Sequence, residues 1–229
     1  MKTFKTAFLH TLPIMFSYVF LGTAFGIMMH DAGYGAGWSA AASIFIYTGA
    51  FQMALAGFLK AGAAIPSILI TAFALGSRHV FYGISFIEDF KRMGKRMLYM
   101  IFSLTDETYA LYCAPAPVGE GVSLEDYRFA SAILCQLYWV AGSVLGAVIG
   151  NVVPFDFTGI DFTMTALFVT VFIDQWRNTK DHRAALTGLG ASVLCLLLFG
   201  KSNFILPALL IASVVLVAIA RKEENGDVR

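Results

Sequence analysis

The stretch TAFLHTLPIMFSYVFLGTAFGIMMH, residues 6–30, contains no Asp, Glu, Lys or Arg. A helix needs about 20 mainly apolar residues to cross the hydrocarbon core of a bilayer, so this stretch is long enough to span one. The runs 32–59, 129–155 and 202–220 are also free of these charged residues. The chain is 58% hydrophobic and 14% charged, whereas soluble domains are about 45–50% apolar and about 25% charged. We therefore expect a polytopic membrane protein that lies in the lipid bilayer.

The sequence lacks the signatures of several other protein classes. The net charge is +1 and the chain carries no strongly basic patch, so we expect no nucleic-acid partner. Cys113, Cys135 and Cys195 have no CxxC spacing, and we predict small buried hydrophobic residues rather than disulfides or metal ligands. No HExxH, GxSxG or Walker lysine motif occurs. We expect no catalytic residue, no metal, no cofactor and no ATP site.

Apolar runs separated by loop-like stretches rich in glycine and proline predict an all-α fold. We predict about seven to nine helical segments. Several are too short for a full span, which is typical of the discontinuous helices of transporters. The segments lie at about 6–29, 38–59, 63–77, 79–90, 97–113, 127–151, 161–176, 184–200 and 203–220.

A two-fold internal repeat is predicted from three matches at nearly constant offset. We place repeat one at about 6–90, a middle segment at 97–113 and repeat two at about 127–220, within a single transmembrane transport domain, 1–229. The matches are LGTAFG (21–26) with LGAVIG (145–150), Gln52 with Gln175, and Gly76 with Gly200.

The distribution of basic residues predicts the topology. The loop KRMGKR, residues 91–96, should be cytoplasmic, as should the N-terminus with Lys2 and Lys5. The first apolar run is too long for a signal peptide, so we expect a first span. An even number of crossings before residue 91 then requires a helix break, which we place at Gly76–His79. If segment 97–113 crosses the membrane the repeats are inverted, and if it is re-entrant they are parallel; the sequence leaves both open.

Two ionisable residues, Arg78 and His79, lie inside the apolar stretch ALGSRHVFYG, residues 74–83. Charges at membrane depth are costly unless they are paired or line a wet cavity. Arg78 either binds a substrate carboxylate, pairs with an acid that ligand disturbs, or serves as a structural ion pair or interfacial residue. His79 either carries a proton or is only hydrogen-bonded.

Two acids, Asp106 and Glu107, lie in the apolar middle segment within LTDETY, residues 104–109. Neighbouring helical residues point about 100° apart, so at least one of the two should face the protein. Thr105 is a candidate helix cap. The acids could pair with Arg78, bind an ammonium group or carry a proton; alternatively one is a cap or a loop carboxylate.

Polar residues also interrupt segment 38–59. Tyr47 and Gln52 are five apart, and an unwound turn at Gly49 would bring both to one cavity. The alternative is ordinary hydrogen bonding between helices. Asp174 and Gln175 occupy the matching place in repeat two and have the same two interpretations.

Glycines at four-residue spacing predict close helix packing. Small residues in a small-xxx-small pattern let transmembrane helices approach each other. The residues concerned are Gly22, Gly26, Gly142, Gly146 and Gly150.

Seven motifs together resemble the AzlC-type permeases, the large subunits of branched-chain amino acid exporters. The resemblance covers nearly the whole chain and is specific only in combination. Ser77, where asparagine is expected, and Ser143, where threonine is usual, are small polar departures. The motifs are LGTAFG (21–26), YTGAFQ (47–52), SRHVFYG (77–83), TDETY (105–109), YWVAGSVLG (138–146), GIDF (159–162) and DQW (174–176).

The resemblance implies export of leucine, isoleucine and valine across the cytoplasmic membrane, with methionine or analogues as further substrates. It also implies a small AzlD-type membrane subunit as partner. Because the sequence shows no ATP site, a proton or ion gradient, or the substrate gradient alone, would drive such export. Two other functions stay open: an accessory or channel-like membrane subunit, and an intramembrane lipid-modifying enzyme that uses His79 with Asp106 or Glu107. The candidate substrate-binding residues are Arg78, His79, Tyr47, Gln52, Asp106, Glu107, Asp174 and Gln175.

Overall fold

A computed structural model describes residues 2–117, 119, 121–152, 161–178 and 181–226. This part of the chain forms ten α-helices and one 3-10 helix, Gly94–Arg96, so the predicted all-α class is confirmed. The nine predicted segments become ten helices because segments 38–59 and 97–113 are each divided, whereas segments 63–77 and 79–90 form one helix. The helices are α1 (Lys2–Asp31), α2 (Ala36–Phe45), α3 (Gly49–Ala61), α4 (Ile65–Arg92), α5 (Met97–Phe102), α6 (Asp106–Cys113), α7 (Leu124–Val152), α8 (Asp161–Asn178), α9 (Arg183–Asn203) and α10 (Ile205–Gly226).

The chain divides into two compact units, each described by itself. The first comprises Met1–Ala64 and Leu75–Thr165, and the second Ile65–Ala74 and Ala166–Arg229. The first unit contains most of the candidate site residues. The internal repeat stays a prediction.

Three helices among the described residues are long and apolar enough to cross a membrane. They are α1, α7 and the part of α9 from Arg183 to Gly200. Helix α4 qualifies as a fourth when its two bent parts count as one span. Long charge-free runs can form helices of this length, because each residue advances a helix by about 1.5 Å.

Helices α1 and α7 form the central contact of the first unit, and glycines bring their backbones together. A Cβ atom on Gly26 would stand 2.0 Å from the Ser143 carbonyl oxygen, and one on Gly146 would stand 2.0 Å from that of Thr23. Only glycine fits at this separation. The structure brings Gly22, Gly26, Gly142, Gly146 and Gly150 to this one contact.

Helices α1 and α7 run in the same direction. The order of their contacts along one helix follows the order along the other. The neighbours are His10 with Tyr127, Val19 with Gly142, and His30 with Gly150.

The predicted segment 38–59 is not one helix. Helix α2 ends at Phe45 and α3 begins at Gly49. Between them Tyr47 has φ 45°, a left-handed conformation that breaks the helix. The helix begins again, as α3, at Gly49. A Cβ atom on Gly49 would stand 3.0 Å from the ring of Trp139. The unwound turn expected beside Gly49 is therefore present, immediately before that residue.

The break expected at Gly76–His79 is wrong. Helix α4 runs through these residues, and Gly76 does not adopt a positive φ. A ring nitrogen of His79 lies 3.2 Å from the Gly76 carbonyl oxygen, within the same helix. The chain instead bends by 54° between Ile65–Val80 and Tyr82–Arg92. The departure from a straight helix thus lies at residue 81, a few residues after the predicted position, and is a bend rather than an unwound turn.

The segment 97–113 folds back on itself, as the re-entrant alternative expects. The parallel arrangement of the two repeats that goes with this alternative stays a prediction. Arg96, at its start, pairs with Asp126 at the beginning of α7, at 2.6 Å. Tyr112, near its end, donates a hydrogen bond to the carbonyl of Arg128, two residues further on. Both ends therefore lie at the same end of α7, and the segment does not cross. The loop 91–96, which is predicted to be cytoplasmic, and the start of α7 accordingly lie at one end of the helices.

The tip of the hairpin lies between α5 and α6. Thr105 caps α6: its side chain accepts a hydrogen bond from the Thr108 backbone, and the Thr108 side chain accepts one from the Thr105 backbone. The predicted cap is confirmed. Phe86 and Phe90 of α4 pack with Met100 and Tyr112 in a buried cluster that fixes the hairpin against α4.

Candidate functional site

The hairpin tip lies at the middle of the long helices. Tyr18 is near the centre of the 30-residue α1, and Trp139 is near the centre of α7. Their rings meet edge to face with centroids 5.4 Å apart. The Tyr18 hydroxyl lies 2.6 Å from the Thr105 hydroxyl, at the start of α6. A helix that begins here points its N-terminal amides into the middle of the membrane, as half-helices do at transporter sites.

An ion pair joins α4 to this helix start. Arg78, midway along the 28 residues of α4, places Nη2 2.7 Å from Oδ2 of Asp106. Tyr82, one helical turn after Arg78, donates its hydroxyl proton to the other oxygen, Oδ1, at 2.7 Å. Within the described ranges, the buried Nε of Arg78 has no hydrogen-bond partner. The pair thus holds opposite charges side by side and keeps an unused donor.

This pair is within reach of a ligand. The side chain of Arg78 is 27% exposed and that of Asp106 is 36% exposed. Charged groups that faced lipid at this depth would be costly. The exposed sides of the pair must therefore face water or another protein.

Aromatic side chains flank the ion pair. Tyr82 stacks on Tyr109 with ring centroids 4.4 Å apart, and Phe86 meets Tyr109 edge to face at 5.6 Å. Such rings supply apolar surface beside a charged group. A ligand with both charges and an apolar part would find complementary groups here.

His79 is near the pair and outside it. Its ring packs edge to face against Tyr82, at 5.7 Å, and its nitrogen contacts the carbonyl of Gly76 in its own helix. No hydrogen bond from His79 to Asp106 or Glu107 is found in the described part of the chain. The arrangement favours a hydrogen-bonded histidine over a histidine–carboxylate dyad.

Glu107 points away from the ion pair, toward α1. The Tyr18 hydroxyl donates to its Oε2 at 2.7 Å. Tyr47 lies close enough to Glu107 for an electrostatic interaction, and its buried hydroxyl has no hydrogen-bond partner in the described part of the chain. The two adjacent acids of α6 thus contact different helices: Asp106 contacts α4 and Glu107 contacts α1.

Gln52 belongs to a buried packing network. Its Nε2 donates to Ser43 at 3.2 Å, and its Oε1 accepts from the indole N–H of Trp139 at 2.9 Å. Ser43 donates to Ser143, which donates to the carbonyl of Trp139, both at 2.8 Å. The network joins α2, α3 and α7, which matches the interhelical alternative for Gln52. The structure does not join Gln52 to Tyr47 by a hydrogen bond.

We expect Trp139→Phe to destabilise the protein. The substitution removes the indole donor and leaves the buried Oε1 of Gln52 without it, at a cost of about 1–3 kcal/mol. Thermal unfolding of the purified protein in detergent should show a clearly lower midpoint. Trp38→Phe is the matched control, because Trp38 is 64% exposed. An equal change in both variants would contradict this role of Trp139.

The remaining predicted site residues, Asp174 and Gln175, are in α8. Their side chains lie outside the described residues.

The cysteine prediction is partly wrong. Cys135 and Cys195 are buried, but Cys113 is exposed, because it ends the short helix α6 where the chain leaves the hairpin. Within the described ranges, no group of three or more His, Cys, Asp and Glu could hold a metal.

The sequence-based interpretation missed two tyrosines beside the ion pair, Tyr82 and Tyr109, and one that contacts Glu107 outside it, Tyr18. Tyr82 could have been found, since it is four residues after Arg78 and therefore on the same helix face. Tyr109 follows Asp106 by three residues and could be found by the same rule. Tyr18 had no local signal, because its contact with Glu107 joins residues far apart in the chain.

Comparisons with known proteins give a consistent match. A family model described as AzlC protein matches residues 13–153. Branched-chain amino acid transport protein AzlC of Bacillus subtilis is 40% identical over 228 residues, 98% of this chain and 88% of that protein. An uncharacterized membrane protein of Helicobacter pylori is 36% identical over 98% of both chains. Inner membrane protein YgaZ of Escherichia coli is 27% identical, over 93% of this chain and 87% of that protein.

No solved structure matches the chain. The region matched by the family model contains Arg78, Asp106 and Glu107, whereas Asp174 and Gln175 lie beyond it.

Proposed function

The chain belongs to the AzlC family and is a multi-pass membrane protein, and from this premise we propose that it exports branched-chain amino acids. The similarity to a protein named for branched-chain amino acid transport, over nearly the full chain, supports the substrate class. We also propose that a proton gradient drives export and that a small AzlD-type membrane subunit completes the transporter.

The ion pair of Arg78 and Asp106 is the observation that carries the proposal. An amino acid zwitterion has a carboxylate and an ammonium group on one carbon, so its charges match the two members of the pair. The substrate carboxylate would bind the exposed part of the Arg78 guanidinium, and the ammonium would bind Asp106. Arginine suits carboxylates because its donors form a planar fork.

The aromatic rings beside the ion pair would bind the side chain of the substrate. A branched aliphatic side chain gains free energy when it leaves water for an apolar surface. Tyr82, Tyr109 and Phe86 offer such a surface beside the pair. A site of this kind would favour leucine over alanine, since the larger side chain buries more apolar area.

Two further observations support transport over the alternatives. His79 contacts its own helix rather than an acid, which disfavours a lipid-modifying enzyme built on a histidine–carboxylate dyad. A paired charge site at mid-helix depth favours substrate binding over a purely accessory role, because such charges are costly without use or compensation.

Efflux of labelled leucine tests the proposal. Cells or vesicles loaded with labelled leucine, with the chain and its AzlD-type partner, should lose label several-fold faster than vesicles without the chain. Labelled alanine, loaded in the same way, should leave more slowly than leucine. An intact, correctly partnered complex without leucine efflux would contradict the substrate, and efflux without the partner would contradict the two-subunit transporter.

A further inference from the structure

The two adjacent acids of α6 differ in their surroundings. Asp106 is locked to a cation, since Arg78 lies 2.7 Å from one oxygen and Tyr82 donates to the other. Protonation of Asp106 would leave Arg78 without its counter-charge. Glu107 takes part in none of the ion pairs found among the described residues.

Hydroxyl groups, not cations, surround Glu107. Tyr18 donates to its carboxylate, and the Tyr18 hydroxyl also contacts the hydroxyl of Thr105 at 2.6 Å. A hydroxyl can donate to a carboxylate and can accept from a protonated carboxyl group. Glu107 can therefore gain or lose a proton without breaking an ion pair, while its hydrogen bonds adjust by rotation of the hydroxyls.

A second, independent feature near Glu107 is a buried hydroxyl group that is free to change its hydrogen bonding. Tyr47 is 3% exposed, and its hydroxyl has no hydrogen-bond partner among the residues that the structure describes. Buried polar atoms normally find a partner, so an orphan of this kind calls for an explanation. Tyr47 has a left-handed backbone conformation, with φ 45°, and lies in the turn between α2 and α3. Such a group can accept or donate a hydrogen bond when the protonation state of its surroundings changes.

The titratable and charged groups near Glu107 come from every element packed around it. Tyr18 faces it from α1, Tyr47 from the turn between α2 and α3, Cys135 from α7, and Asp106 from its own helix. All four are neutral or acidic groups. A carboxylate in such surroundings is exposed to repulsion from Asp106 when both are charged.

We propose that Glu107 carries the proton coupled to export, while Arg78 and Asp106 hold the amino acid. This rests on the proposed function and divides the polar cluster into two parts with separate tasks. The Glu107 carboxylate takes up a proton on one side of the membrane and releases the same proton on the other, and the zwitterion travels in the opposite direction. Because Asp106 and Glu107 are consecutive, binding of an ammonium group at Asp106 changes the charge felt by Glu107.

Separate measurements of exchange and of proton movement test the assignment. Vesicles that contain the complete complex and a trapped pH-sensitive dye receive a leucine gradient, and label exchange at equal leucine on both sides is followed in parallel. For wild type we expect both exchange and proton movement. For Glu107→Gln we expect exchange within about twofold of wild type and proton movement reduced at least tenfold. For Asp106→Asn we expect both to be lost.

The outcomes distinguish failure of this assignment from failure of the proposed function. A wild-type complex that does not exchange leucine would overturn the proposed substrate. Exchange without proton movement in wild type would overturn proton coupling. Proton movement by Glu107→Gln equal to wild type, or loss of its exchange at normal amounts of complex, would overturn the role of Glu107 alone.

A second variant guards against misfolding of Glu107→Gln. Tyr18→Phe removes the hydroxyl donor to Glu107 and keeps the ring that packs on Trp139. We expect its exchange to match wild type and the pH midpoint of its net efflux to move. An unchanged pH profile would count against Glu107 as the proton carrier.

Discussion

Arg78→Ala should reduce leucine efflux about tenfold to a hundredfold. The substitution removes the guanidinium that lies 2.7 Å from Asp106 and that we propose for the substrate carboxylate. Hydrogen bonds to charged groups contribute about 1.5–3 kcal/mol, and about 1.4 kcal/mol is a factor of ten in rate. Initial rates of labelled leucine efflux, normalised to the amount of complex in the membrane, measure the effect.

A matched control and a double variant separate binding from structure. Lys91→Ala removes a cation from the same helix that, in the described part of the chain, forms an ion pair with the exposed Glu88, so its efflux should equal wild type. If the pair of Arg78 and Asp106 were structural only, Arg78→Ala combined with Asp106→Ala would recover efflux, because no charge would remain unpaired. We expect the double variant to be as inactive as the single one. Recovery would refute the binding role.

Gly146→Ala and Gly26→Ala should prevent normal assembly of α1 with α7. The new Cβ atom would stand 2.0 Å from a backbone oxygen of the opposite helix in each case. Backbone atoms cannot rotate aside as a side chain can, so the helices must separate. Overpacking costs about 1–3 kcal/mol per site and more where the backbone must move. The yield of monodisperse protein extracted in detergent and its thermal midpoint should both fall sharply.

Gly57→Ala is the control for these substitutions. Gly57 lies within α3, and a Cβ atom there would have no neighbour within 4 Å. Alanine is the better helix former by about 1 kcal/mol, so this variant should be at least as stable as wild type. Equal losses at Gly57 and Gly146 would show that the contact between α1 and α7 is looser than its glycines indicate.

The candidate site could be predicted in part because some of its contacts are local. Arg78 and Tyr82 share a helix face, and Thr105 caps the helix that begins at Asp106. The sequence also offered Asp106 and Glu107 together as candidate partners for Arg78, since a charge at membrane depth needs compensation. It could not assign Glu107, because the choice depends on Tyr18 in a distant helix.

Hydropathy by itself determined that this chain lies in a membrane and is helical. In lipid every backbone amide and carbonyl must be satisfied within the segment, so a long apolar run has little choice other than a helix. Spacing determined which glycines would pack, because residues four apart in a helix lie on one face. Both properties follow from neighbours along the chain.

Tertiary structure alone decided where the helices break and which way the middle segment runs. The turn at Tyr47, the bend of α4 near residue 81 and the re-entrant hairpin each depend on packing between distant residues. Short helices have no strong local preference for one direction, and the free energy that fixes them comes from side chains of other helices. The same packing turns Asp106 toward Arg78 and Glu107 toward Tyr18, although the two acids are consecutive in the sequence.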